Sequence, residues 1–153
     1  MNDEERILVE LIRNAFRGVT LGKGVGLLQG QGLDDYADAK TLADYRAQDE
    51  QEDWSRLPVE KLNSCSSSLS FFDAEGMRFH LPAYLVADLE GTLTQDVIFH
   101  LTYTDHDAMS RFEMLSADQR EAVRRFILLR FDVAGNSFTA PLLEAALDGY
   151  WRS

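Results

Sequence analysis

Six of the ten glycines fall within residues 18–32, "GVTLGKGVGLLQGQG", and this cluster limits the fold more than any other feature of the chain. A glycine inside a helix costs about 1 kcal/mol relative to alanine, and glycine also weakens a strand interior. The stretch therefore reads as a flexible or tightly turning connection between an N-terminal helix and the remainder. Glycines beside Lys23 also raise the question of a phosphate loop. A Walker loop needs Gly, four residues, then Gly-Lys-Ser/Thr; here Gly22-Lys23 is followed by Gly24, and position 17 is Arg. The dinucleotide fingerprint fails too, because its third glycine, counted from Gly22-x-Gly24, would be residue 27, a leucine. No β-rich run precedes the segment, and a preceding strand is what aims either motif at a phosphate.

The residues before the glycines form a well-punctuated helix. Asn2 and Glu5 have the N-cap and N3 spacing of a capping box, and Asp3 and Glu4 place negative charge in the first turn, where the helix dipole favours it. Leu8, Leu11, Ile12 and Ala15 repeat at helical spacing, and Gly18 suits the left-handed position after the end.

After the glycines comes "DDYADAKTLADYRAQDEQED", residues 34–53, with eight acids against two bases. That net −6 is over half of the −11 carried by all 153 residues. Thr41 reads as the cap of a helix that turns Leu42, Tyr45 and a late Trp54 inward. A charge-dense run is most simply a solvated face, but it is also where a basic partner would dock, and Asp44, Asp49, Glu50, Glu52 and Asp53 are the candidate contacts. Pro58 opens a short helix, and the serine run around Cys65 reads as a loop.

Residues 71–85, "FFDAEGMRFHLPAYL", crowd aromatic and polar side chains together. Asp73 can cap a turn that Gly76 breaks. Pro82 pushes Leu81 out of the α region, so a helix is expected to start at Pro82 and to stop at Gly91. Phe71, Phe72, Phe79 and Tyr84 then fill the core around a chain reversal; the other use for them is to line a small-molecule pocket. "VIFHLTY", residues 97–103, is β-branched and aromatic enough to suggest one strand, although its alternation is imperfect and "VIFHL" would also sit on a helix. Ser116 and Gln119 form a second capping box ahead of a long helix bearing Arg120, Arg124, Arg125 and Arg130. Those arginines either make an anion site or face the acidic segment. A last helix is expected from Thr139 or Pro141 to Tyr150.

The blocks "DEQEDWSRLP", "SSLSFFDAEGMRFHLPAYLVADLEG" and "RFEMLSADQREAVRRFI" resemble a family of small uncharacterised bacterial proteins, a domain of unknown function. Its hallmark is a "(F/Y)xLPAYL" core followed by "F..L...Q..AV..FL". The resemblance runs over most of residues 49–130 and implies a mainly helical, cytoplasmic bacterial protein. It brings no catalytic residues with it.

Chemistry would have to come from histidines and carboxylates. His80, His100, His106, Asp105 and Asp107 are donors that zinc or non-haem iron would accept, and they define a metal-dependent hydrolase or oxygenase as the alternative function. Their spacing matches no H-E-x-x-H, C-x-x-C or facial-triad pattern. A single cysteine cannot form an internal disulfide, the "MNDEER" start is acidic where a secretory signal is basic, and no apolar run approaches the about 18 residues of a membrane span. The net charge disfavours nucleic acid and anionic membrane as partners.

The expectation is a single, mainly α domain over residues 1–153, with about six helical segments, room for one or two short strands, and the Gly-rich connection at 18–32. Its expected function is that of a cytoplasmic, non-enzymatic binding protein, immunity-type or regulatory, whose acidic surface recognises a basic protein. No cofactor is called for, and the oligomeric state is left open.

Overall fold

A largely apolar stretch of the chain forms its central helix. In the computed structural model, which describes the backbone of residues 1–103, 106–134 and 140–152 and their side chains apart from those of 106, 108, 132–134, 140, 142 and 143, this helix spans Ala74–Leu89. Twelve of its sixteen residues are buried, so it is enclosed on nearly every side. The other helices, numbered in chain order, are α1 (Asp3–Ala15), α2 (Leu27–Asp34), α3 (Ala39–Gln48), α4 (Val59–Ser64), α6 (Val97–Thr102), α7 (His106–Met109), α8 (Ala117–Ala134) and α9 (Ala140–Asp148), with Ala74–Leu89 as α5. Short 3₁₀ turns cover Trp54–Arg56, Ser68–Ser70 and Ser110–Phe112. The fold is mainly α, and no strand occurs among the described residues. No helix among them is long and apolar enough to cross a membrane.

α1 packs on α8 and α5, α9 packs on α8 and α6, and α2 pairs with α3. One core joins them through Ile12, Phe16, Leu69, Phe79, Tyr84, Leu85, Phe112, Val123, Phe126 and Trp151. Both expected capping boxes form. Asn2 Oδ1 accepts from Glu5 N at 2.8 Å while Glu5 Oε1 accepts from Asn2 N at 3.0 Å. Ser116 Oγ and Gln119 do the same for α8, and Gln119 Nε2 also donates to Ala15 O at 3.1 Å, tying the start of α8 to the end of α1.

Four expectations are corrected. The run 97–103 is not a strand: α6 spans Val97–Thr102, and Asp96 caps it by accepting from Phe99 N. A short apolar run carries no periodicity that separates strand from buried helix, and here the cap and the packing of Val97 and Leu101 decide. The helix expected to begin at Pro82 begins eight residues earlier and runs through it. A mid-helix proline costs about 3 kcal/mol, and burying Phe79, Leu81 and Leu85 to 1% exposure or less offsets it at roughly 1.5–3 kcal/mol each. Within the Gly-rich connection, residues 27–32 are helical despite Gly30 and Gly32. Cβ atoms there would press on Ser68 and on Leu42 and Tyr45, so the missing side chains let α2 approach its neighbours closely. Finally, α3 is capped by Asp38, which accepts from Thr41 N at 2.8 Å, and not by Thr41 itself. The final helix lies inside its expected range, with Ala146 buried.

Candidate functional site

The acidic segment is organised around its own backbone. Gly26, the N-cap of α2, has no side chain to offer the free amides of the first turn. Asp49, at the far end of α3, supplies it instead: Oδ1 accepts from Leu28 N at 2.7 Å and Oδ2 from Gln29 N at 3.2 Å. A Cβ on Gly26 would land on this carboxylate, so glycine at 26 and aspartate at 49 require each other. Asp49 is only 8% exposed, and burial pushes its carboxyl up from the ordinary value against the pull of the two amides. Asp49 therefore leaves the set of surface contacts expected from the sequence. Glu50 Oε2 accepts from Glu52 N and Asp53 N, and Asp53 caps the following 3₁₀ turn through Ser55 N and Ser55 Oγ. The Ser55 bonds hold the Asp53 carboxyl below its usual range. Of the five candidates, Asp44 and Glu52 are exposed, and no bond from either carboxylate is recorded among the described residues.

The tip between α2 and α3 carries a residue the sequence does not single out. Ala37 N donates to Gly32 O at 3.0 Å and Tyr36 N to Leu33 O at 3.3 Å, the paired bonds of a Schellman C-cap. The position after the cap needs the left-handed conformation and usually holds glycine. Here it holds Tyr36, at φ +58°, and Tyr36 is the one non-glycine residue with positive φ among those described. Its side chain is 95% exposed. Asp34, Asp35 and Asp38 surround it in sequence and are exposed as well. Asp34 is held by Ser67 Oγ at 2.8 Å, whereas among the described residues the Asp35 carboxylate meets only Gln31, at 3.4 Å.

The glycine loop between α1 and α2 is clamped. Arg46 of α3 donates from Nη2 to Gly22 O at 2.6 Å, from Nε to Gly24 O at 3.2 Å and from Nη1 to Gln51. Asp73 caps α5 through Gly76 N and also accepts from Val25 N, and Glu75 Oε2 accepts from Lys23 N. Two carboxylates of the 71–85 block thus hold this loop. Phe72, Phe79 and Tyr84 of the same block lie in the core as expected, with Phe72 against Tyr84 and both Phe72 and Phe79 against His80, while Phe71 is partly exposed.

His80 and His100 sit in separate surroundings. His80 is fully buried, stacked on Phe72 at 4.1 Å between centroids, with Nδ1 2.7 Å from Gly76 O. A carbonyl only accepts, so Nδ1 carries the proton, and Nε2 is left as a lone pair without a partner among the described residues. Burial holds its pKa at about 4. His100 lies half-buried in a hollow of about 180 Å³ with Phe99, Tyr103 and Arg111; burial first and Arg111 second hold its pKa below the ordinary value. Asp107 is exposed, and Asp105 and the side chain of His106 lie outside the described residues. No group of three or more His, Cys, Asp or Glu among the described residues could hold a metal. Cys65 is buried, and burial pushes its thiol up, away from the reactive thiolate.

No curated protein and no solved structure matches the sequence. A family model does, and it reaches beyond the 49–130 region of the sequence blocks to include the glycine loop and the C-terminal helices. Residues 4–153 match the family of unknown function DUF6714, and the chain belongs to that family.

Proposed function

We propose that the protein is a non-enzymatic binding protein that takes hold of a basic protein partner at the α2–α3 tip. The observation that carries this reading is Tyr36: a bulky residue keeps a strained left-handed conformation where glycine would serve the fold better, and its ring makes almost no contact with its own chain. Strain at an exposed aromatic is a reason to look for a use outside the fold. Tyrosine is among the residues that concentrate binding energy at interfaces, and an Arg or Lys laid over its ring gains about 0.5–2 kcal/mol depending on desolvation. Asp35 and Asp44 are free to pair with further cations, and the chain's −11 charge steers a positive protein towards the tip. Asp49, Glu50 and Asp53 add to that field without offering contacts. The role is immunity-type or regulatory, masking the partner's cationic face. The compartment is the cytoplasm, in keeping with a buried free thiol and no disulfide.

Affinity capture from the native host tests this reading, with wild-type protein, Tyr36→Gly and Asp35→Asn/Asp44→Asn as baits. Wild type should retain a basic protein that added salt releases, and both variants should lose it while remaining folded. Equal retention by all three baits would overturn the proposal.

A further inference from the structure

The four arginines of α8 divide into two pairs. Arg130 is fully accounted for by Asp88 of α5, with Nη2 2.7 Å from Oδ2 and a further bond to Asp88 O, and Arg125 pairs with Glu121 at 3.2 Å. Neither reaches the acidic segment. Arg120 and Arg124, one turn apart on the same face, instead line a hollow of about 300 Å³ with Ala117, Glu121, Trp151 and Arg152. Arg120 has a structural role there. Its guanidinium sits 4.5 Å from the Tyr150 ring centroid and 5.1 Å from that of Trp151, and Nη2 donates to Tyr150 O at 2.6 Å. This holds the last turn of the chain against α8 and fixes one edge of the hollow.

Arg124 and Arg152 have no such role. Arg124 Nη1 stands 3.8 Å from Glu121, beyond hydrogen-bond reach, and Glu121 is already shared with Arg125. Its Nε is enclosed with no hydrogen-bond partner among the described residues. Arg152 is exposed, with no ion pair among the described residues. Three guanidiniums against one carboxylate thus share a single hollow, on a chain whose net charge is −11. Gathering like charges is unfavourable unless something neutralises them, and packing the last turn needs only Arg120.

We propose that this hollow binds a small oxyanionic molecule through a phosphate or carboxylate group held by Arg124 and Arg152, with Arg120 as a fixed wall. Guanidiniums present forked donors that match both groups, and Arg120 is already ordered by its stacking, so its ordering adds no cost to binding. The volume is at the lower end for a ligand pocket, which suits a phosphate or carboxylate carrying a few further heavy atoms. The site is independent of the tip at Tyr36 and stands or falls without it.

Trp151 provides the readout, since its indole Nε1 donates to Leu101 O at 2.8 Å beside the hollow, while the other tryptophan, Trp54, is bonded to Phe16 O at a separate place in the core. The probes are inorganic pyrophosphate and citrate, titrated into ¹⁵N-labelled full-length protein at ionic strength held constant with chloride. At least one probe should shift the Trp151 indole signal saturably and leave that of Trp54 still. Arg124→Gln/Arg152→Gln should weaken that binding about tenfold or more, and Glu121→Gln should strengthen it by removing the competing carboxylate. A thermal melt confirms that the variants fold. No saturable shift with either probe, the same shift with chloride alone, or an affinity unmoved by the double variant would overturn the proposal.

Discussion

Replacing Tyr36 by glycine should make the protein more stable and less able to bind. A non-glycine residue in the left-handed region costs about 1–2 kcal/mol, and at φ +58° Tyr36 carries that cost. Glycine removes it but gives the unfolded chain more freedom, which takes back about 0.5–1 kcal/mol. Nothing is lost through burial, because the side chain is 95% exposed, and the cap's two hydrogen bonds come from backbone amides that glycine keeps. The net gain is about 0.5–1 kcal/mol, a rise in melting temperature of roughly 1–4 °C for a domain of this size. Urea unfolding of wild type, Tyr36→Gly, Tyr36→Ala and Tyr36→Phe separates the contributions. Alanine keeps the strain and loses the ring, so it should match wild type in stability and lose the partner; phenylalanine should keep both. A Tyr36→Gly protein less stable than wild type by more than about 0.5 kcal/mol would refute the strain argument. A stabilised Tyr36→Gly that still captures the partner would leave the strain real and remove Tyr36 from the binding surface.

Two further outcomes are expected. His80 has a folded pKa of about 4 against an ordinary 6.5, so the unfolded chain takes up a proton first as pH falls. The stability contributed is full above pH 6.5 and is lost between there and pH 4, amounting to about 2 kcal/mol by pH 5; urea melts at pH 7 and pH 5 should show this loss in wild type and much less of it in His80→Phe, and equal losses would show that the imidazole is not held neutral. Asp49→Ala should cost about 1–2 kcal/mol by uncapping α2, with Asp49→Asn between it and wild type; a midpoint for Asp49→Ala indistinguishable from wild type would mean that α2 does not depend on this cap.

The helices that could be read from the sequence are those whose ends are written locally. Asn2 with Glu5 and Ser116 with Gln119 each satisfy orphan amides within four residues, so composition and spacing are enough. Where the deciding group lies elsewhere, local reading failed. The start of α2 depends on Asp49, more than twenty residues away, and its glycines look like a loop until Tyr45 and Ser68 are placed against them. α5 crosses Pro82 because its environment outweighs the proline, and that environment comes from the rest of the chain. For α6 a local signal exists, Asp96 three residues before Phe99, but the β-branched run 97–103 carries the opposite one. The acidic segment was visible as charge, yet charge alone could not separate Asp49, Glu50 and Asp53, which serve the backbone, from Asp44, which does not. Tyr36 carried no compositional signal; the clue would have been a helix end at "GLDDYAD" with no glycine where one is expected.

The bond from Asp49 to Leu28 also has a mechanical meaning. It closes residues 28–49 into a ring whose two feet are latched together, with Tyr36 near the point opposite the closure. A ring shut in this way presents its crown at a set height and angle before any partner arrives, so little ordering remains to oppose association. Opening the latch would then loosen a surface it never touches. On the proposed function, Asp49→Ala should bind more weakly than wild type although residue 49 is itself buried.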